Sequence, residues 1–361
     1  MISKSTCIFF DAYELSPVFG KSIGIYNYAI NLLRALVECS DKFTTFVVAC
    51  NSSAVSDFIF ASDKVTVVVV GKALPSKIDR LLWMYGLAAY EVQKHKVNIY
   101  LSPKGFLPYG VGIFSQDFRR VVVIHDLIPL WYAEHFPGNF GRVEEFVITR
   151  GLIRSVKCAD RVIAISKSTA DDIRLRLGEF SHIRVVHNGV PYCEPGVIPH
   201  NFPYIFSVSS KFPHKNSIVL LKAYQIYRSR VNNPLPMYVC GIVQPDIEGV
   251  IAVNGLTDQE IHAYYAGARL FIFLSLIEGF GFPPLEALSH GTQVLCSDIP
   301  SLREVTQGLA DYVDPNSSEL VSSKIIDVLD HNLIPRINVF DLKGYYSWSA
   351  CARGVLTATM G

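Results

Sequence analysis

Short apolar runs rich in Val, Ile and Phe alternate with helix-period segments along almost the whole chain, and this alternation constrains the fold more than any other feature. Strands that show no wet face must be buried on both sides. That condition is met by parallel sheets with helices packed on either face. A first series predicts strands at 7–11, 44–49, 65–70, 99–102, 121–125, 161–165 and 183–187, with helices at 25–39, 77–95, 140–157 and 168–177. A second series predicts strands at 204–209, 237–241, 251–254, 270–274 and 293–297, with helices at 217–229, 258–266, 284–290 and 318–329. Between the series, Pro191, Pro195, Pro199 and Pro203 break both patterns and mark the best linker in the chain. Two α/β domains follow, 1–195 and 196–345, as expected of 361 residues at about 150 per domain.

The remaining composition narrows the class. The eight cysteines lie far apart with no Cys-x-x-Cys pair, so they read as reduced interior residues rather than metal ligands or disulfides. The apolar run before Asp11 is too brief for a signal peptide and reads as a first strand. No window is long and apolar enough for a transmembrane helix, and the expected compartment is the cytoplasm. Residues 1–195 hold 22 Lys/Arg against 18 Asp/Glu, whereas 196–361 hold 11 against 14. A basic first half is suited to an anionic acceptor or to peripheral contact with the inner face of the cell membrane, and ordinary scatter of surface charge would look the same. Nucleic acid is not an expected partner, because no basic stretch is interleaved with aromatic residues.

The chemistry concentrates in one segment, where a buried strand from Leu270 runs into Glu278-Gly279-Phe280-Gly281-Phe282-Pro283-Pro284-Leu285-Glu286. It reads as a strand, a glycine-rich turn, and a short helix opened by proline and closed by Gly291. The turn lets the backbone approach a ligand, and amides at a helix start attract an oxyanion. Glu278 enters from the strand end. Glu286 is expected in the first helical turn, where the helix dipole favours a carboxylate. Two carboxylates beside an oxyanion site suit the hydroxyls of a sugar and a ribose.

With Gly291 to Asp298 and Leu302-Arg303-Glu304-Val305, this stretch closely resembles glycosyltransferase family 4, the retaining GT-B enzymes. The turn Phe212-Pro213-His214-Lys215-Asn216 is similar to the family's donor-diphosphate turn, which makes Lys215 the expected phosphate-binding lysine. Many members carry an arginine earlier in the turn. Here Ser209 and Ser210 stand in its place, leaving Lys215, backbone amides and a hydrogen bond from Ser210 to balance the leaving group. Pro17 to Tyr28 resembles the family's loop before the first helix, with the Gly24 backbone as its expected contact. The pair His125-Asp126 resembles a strand end in the O-antigen mannosyltransferase branch, and there His125 would orient the reacting sugar or acceptor with support from Asp126. Ser166 or Ser168 is expected to cap a helix, Asn188-Gly189 to turn into the linker, and Tyr345 to Ser349 to enter a final helix at 346–361 that crosses back to the first domain.

The resemblance implies two Rossmann-like domains facing each other across a deep cleft, and a retaining, metal-independent hexosyl transfer. No resident cofactor is expected, since the nucleotide sugar is a co-substrate. The implied donor is GDP-mannose or another GDP-sugar, and the implied acceptor a growing, lipid-linked saccharide. Assigned to the donor are Glu286, Lys215, Ser210, Gly24 and the Gly279–Phe282 backbone; assigned to the reacting centre are Glu278, His125, Lys215 and Asp126. Open alternatives are a UDP-sugar donor, a sugar-nucleotide epimerase, and a nucleotide-sugar-binding subunit without turnover. A hydrolase using both glutamates fits less well, because acid and nucleophile must face each other across the scissile bond.

Overall fold

A computed structural model describes residues 5–17, 23–60, 62–71, 75–113, 118–139, 141–190, 193–330, 342 and 344–361. The chain divides into two compact units, Met1–Gly189 with Ser347–Gly361, and Val190–Tyr346. The division falls just ahead of the proline-rich stretch rather than inside it; Pro191, the first of those prolines, lies outside the described residues.

The first unit is built on a seven-stranded parallel sheet of β1 (Thr6–Ala12), β2 (Thr44–Cys50), β3 (Val65–Val69), β4 (Ile99–Ser102), β5 (Arg119–Ile124), β6 (Arg161–Ala164) and β7 (Ile183–Val185). Its order is β3-β2-β1-β4-β5-β6-β7, so the winding reverses between β1 and β4. Phe9, Phe10 and Val121 to Ile124 are fully buried, as strands covered on both faces must be. The covering helices are α1 (Ile23–Cys39), α2 (Val55–Phe58), α3 (Lys77–Leu82), α4 (Ala88–Lys94), α5 (Tyr109–Ile113), α6 (Ile128–His135), α7 (Arg142–Cys158) and α8 (Lys167–Leu177). Ser166 caps α8 by accepting from Thr169 N–H at 2.9 Å. The C-terminal helix, Trp348–Met360, packs along α1 in this unit, and Gly189 lies so close to Trp348 that an added Cβ would meet its ring at 2.5 Å.

One long helix was expected over 77–95, but the structure breaks it with a π-helical turn at Trp83–Leu87 between α3 and α4. The wider turn rotates the helix register. Trp83 is fully buried, and its indole N–H reaches Asp11 at 3.3 Å.

The second unit holds six parallel strands, β8 (Ile205–Val208), β9 (Met237–Cys240), β10 (Val250–Val253), β11 (Leu270–Phe273), β12 (Val294–Ser297) and β13 (Asp311–Val313). Their order is β10-β9-β8-β11-β12-β13, with the reversal between β8 and β11. Helices α9 (Ser217–Arg230), α10 (Asp258–Gly267), α11 (Phe282–Ser289), α12 (Pro300–Thr306) and α13 (Ser318–Asp330) cover it. The core on one face joins Ile205, Ile272 and Leu295 of the sheet to Leu220, Tyr224, Val321 and Ile325 of the helices.

Candidate functional site

In an open parallel sheet, the crevice lies beyond the carboxyl ends of the two strands where winding reverses. In the second unit those strands are β8 and β11, and their loops carry Lys215 and Glu278. The two loops are tied together, because Leu276 N–H donates to the His214 carbonyl at 2.7 Å. Topology therefore brings together residues 63 positions apart, and Lys215 Nζ donates to Glu278 Oε1 at 2.5 Å.

A lysine just ahead of a helix needs an anion beside it, and Glu278 is that anion. The ammonium also sits 5.3 Å from the centroid of the Phe273 ring. Asn216 takes φ 55, turns the chain left-handed into α9, and is pinned by its amide donating to the Pro315 carbonyl at 2.7 Å. His214 is buried, and its pKa falls to about 4 because burial, and then Lys215, oppose its charge. Ser210 Oγ accepts from Phe212 N–H at 3.3 Å and so shapes the turn that presents Lys215.

Glu286 is not in the first helical turn. Helix α11 begins at Phe282 after Gly281 and has no acidic residue in its first turn, so the helix-dipole explanation for Glu286 does not hold. Burial instead pushes its carboxyl up to about 7; the Tyr265 hydroxyl, hydrogen-bonded to it, works in the opposite direction, and Asp258 adds to the rise. Pro283 and Pro284 also remove two of the first amides of α11, so the donors of this turn come from Gly279 to Phe282. Gly281 has φ +114, and an added Cβ would meet Leu302 of α12 at 2.5 Å, which gives this glycine a packing reason as well. Phe280 is buried and lies edge-on to Tyr346 at 5.6 Å, so its side chain anchors the turn.

The first unit holds the other expected residues. His125 follows β5 and is fixed by a 2.7 Å hydrogen bond between Nε2 and the Pro103 carbonyl. A carbonyl only accepts, so Nε2 carries the hydrogen and the neutral ring offers Nδ1 as an acceptor. Burial lowers its pKa to about 4, against the pull of the Pro103 carbonyl, and the Tyr28 ring meets it edge-on at 4.7 Å. Asp126 Oδ1 accepts from Ile128 N–H at 2.9 Å, just ahead of α6. Gly24 lies exposed in the first turn of α1 with no atom within 4 Å of an added Cβ, while 18–22 of the expected loop lie outside the described residues.

Sequence reasoning missed a cluster at the first unit's own reversal point. Asp11 at the end of β1 is fully buried and accepts from Lys104 Nζ at 3.0 Å, from the Tyr100 hydroxyl at 2.5 Å and from Trp83. Burial opposes the charge on Lys104, yet the carboxylates of Asp11 and Glu14 outweigh it and raise its pKa. The 93-residue separation of Asp11 and Lys104 hides the pair from any reading of local pattern.

Both sheets are doubly wound and parallel, and the second carries the Lys215–Glu278 pair beyond its reversal point. Two family models cover most of the chain end to end: "Glycosyltransferase Family 4" over residues 24–192 and "Glycosyl transferases group 1" over 194–338. The chain belongs to glycosyltransferase family 4. It is 26% identical over 301 residues to O-antigen chain mannosyltransferase B of Escherichia coli, covering 75% of this chain and 76% of the relative. It is 24% identical over 331 residues to O-antigen chain mannosyltransferase RfbU of Salmonella typhimurium, covering 87% and 90%. The fold matches sucrose-phosphate synthase of Thermosynechococcus elongatus with a TM-score of 0.73 over 98% of both chains, at 14% identity, which places it among GT-B folds.

Proposed function

We propose that this glycosyltransferase moves mannose from GDP-mannose, with retention of configuration, onto a growing lipid-linked saccharide of a cell-surface polysaccharide. The mannosyl donor and polysaccharide acceptor are supported by the names of the two bacterial relatives. The observation that carries the rest is the Lys215–Glu278 pair at the β8/β11 reversal point.

In this reading the pair is the resting form of the donor site. An entering diphosphate offers Lys215 a doubly charged partner, and the hexose offers hydroxyl donors to Glu278. Each partner of the ion pair exchanges its contact without being left bare, which matters because an unpaired buried charge is costly. Lys215, Ser210 and the amides of Gly279 to Phe282 then meet the charge that develops as the diphosphate leaves, the role of preorganised donors in electrostatic catalysis, with no divalent cation. Glu286 accepts from the ribose. His125, neutral and with Nδ1 free to accept, orients a hydroxyl of the sugar or acceptor and is not a proton donor. The Gly24 amide contributes to anion binding at the start of α1.

Thermal denaturation with GDP, UDP, ADP and dTDP tests the donor. A nucleotide at 100 times its Kd adds about 2.7 kcal/mol of stability, so GDP should give the largest shift in Tm. A larger shift with UDP selects the UDP-sugar alternative, and no shift with any of the four removes the donor site as assigned.

A further inference from the structure

Helices α10 and α11 meet through two polar pairs in register. His262 and Tyr265 stand three residues apart on α10, and Glu286 stands four residues before His290, the C-cap of α11, so each set lies on one side of its helix. His262 Nδ1 and His290 Nε2 are 2.7 Å apart, a hydrogen bond in which one ring donates and the other accepts. One turn along α10, the Tyr265 hydroxyl is hydrogen-bonded to the Glu286 carboxyl. A third tie comes from just beyond α11, where Thr292 Oγ1 donates to the Tyr265 carbonyl at 2.5 Å. Both His262 and Tyr265 are buried. A bond between imidazoles needs a neutral acceptor, and burial, against the pull of Asp258, lowers the pKa of His262.

Apolar contact alone leaves a short helix free to roll or slide, because area burial has no preferred direction. A hydrogen bond in the interior is directional, and breaking it strands two buried nitrogens. We propose that His262 and His290 are positioning residues of the nucleotide site, their hydrogen bond fixing how α11 seats on α10 and thereby where Glu286 holds its carboxyl group. Neither imidazole needs to meet the ligand. The same helix opens at the Gly279–Phe282 turn, so its seating also sets the amides of that turn. Asp258 and Tyr265 of α10 are the titratable groups that act on Glu286, whereas Arg303 of α12, the other helix packed on α11, is paired with Asp298. The inference rests on the ribose reading of Glu286 for its purpose, and on the α10–α11 geometry alone for the brace itself.

The test matches each ring nitrogen with an amide. Gln places its amide where His290 has Nε2 and Asn where His262 has Nδ1, and either amide can donate or accept. KM and kcat for transfer from GDP-mannose are measured for the full chain, for His290→Gln and His262→Asn, and for His290→Leu and His290→Asn, which cannot make the bond. The Glu286 carboxyl is titrated in each by carbon-13 NMR, its signal assigned through Glu286→Gln. In His290→Leu and His290→Asn, KM should rise about tenfold with kcat within about twofold, and the carboxyl should titrate at least about one pH unit lower as water gains access. His290→Gln and His262→Asn should stay within about threefold of wild type in KM. Tyr224→Phe removes a buried hydroxyl bonded to the Leu235 and Gly249 carbonyls in the core beside α9, and should lower Tm without moving KM or the titration. Unchanged KM and titration in a folded His290→Leu or His290→Asn overturn the proposal, as does equal damage in the matched amides or in Tyr224→Phe. A lowered titration with unchanged KM keeps the brace and removes the ribose contact of Glu286. If wild type transfers nothing, the titration alone decides the brace.

Discussion

Glu286 shows how a residue's environment reshapes its role. Its carboxyl titrates at about 7, mainly through burial, so near neutral pH it is divided between two forms with different affinity for a ribose. Ribose hydroxyls donate best to the ionised form. Affinity for a nucleotide sugar should therefore rise about tenfold between pH 6 and pH 8, and this dependence should vanish in Glu286→Gln. Isothermal titration at the two pH values measures it, and equal affinities would rule out the ribose contact. The sign for folding is opposite. A carboxyl whose pKa rises from 4.5 to about 7 on folding binds its proton more tightly in the native state, so its contribution is complete below 4.5 and is lost as pH climbs through 7. Glu278 and Lys215 stood out in the sequence through their motifs, but their direct contact did not, because it depends on strand order rather than on spacing.

Elements carry the site in ways that local pattern reveals only in part. The strands of both sheets were legible from their apolar runs, since burial on both faces leaves few polar interruptions. Strand β13 was not, because three residues, Asp311 to Val313, are too short for a period and only Val313 is buried. The π-helical turn was hidden for a different reason: its sequence, Trp-Met-Tyr-Gly-Leu, continues the helical pattern, and the contact of buried Trp83 with Asp11 spans 72 residues. Helix α11 illustrates the opposite case. Its prolines and glycines were read correctly as a turn into a helix, while Glu286 was assigned to the wrong turn because the helix begins at Phe282. The joint between this turn and α12 can be tested. Gly281→Ala places a Cβ against Leu302 at a backbone angle that L residues avoid, and should cost roughly 1–3 kcal/mol of stability. Gly24→Ala, which meets no protein atom, should leave Tm unchanged. Equal loss in both would contradict the packing role of Gly281.

At the scale of the whole molecule, the duplicated reversal of strand order accounts for why a chain of this length carries its chemistry in a few loops. Each unit presents loops at the carboxyl ends of its central strands: Asp11, Lys104 and His125 in the first, Lys215, Ser210, Glu278 and the start of α11 in the second. The two-unit organisation was legible from the doubled α/β pattern. The central claim is that Lys215 and Glu278 form a donor site in which the glutamate grips the sugar. Its most direct measurement is transfer of labelled mannose from GDP-mannose to a saccharide acceptor by wild type and by Glu278→Gln, with Tm recorded for both. The account predicts α-linked product from wild type and a loss of at least about 100-fold in the variant at an unchanged fold. Near-normal turnover by Glu278→Gln, or no transfer by a folded wild type, would contradict it.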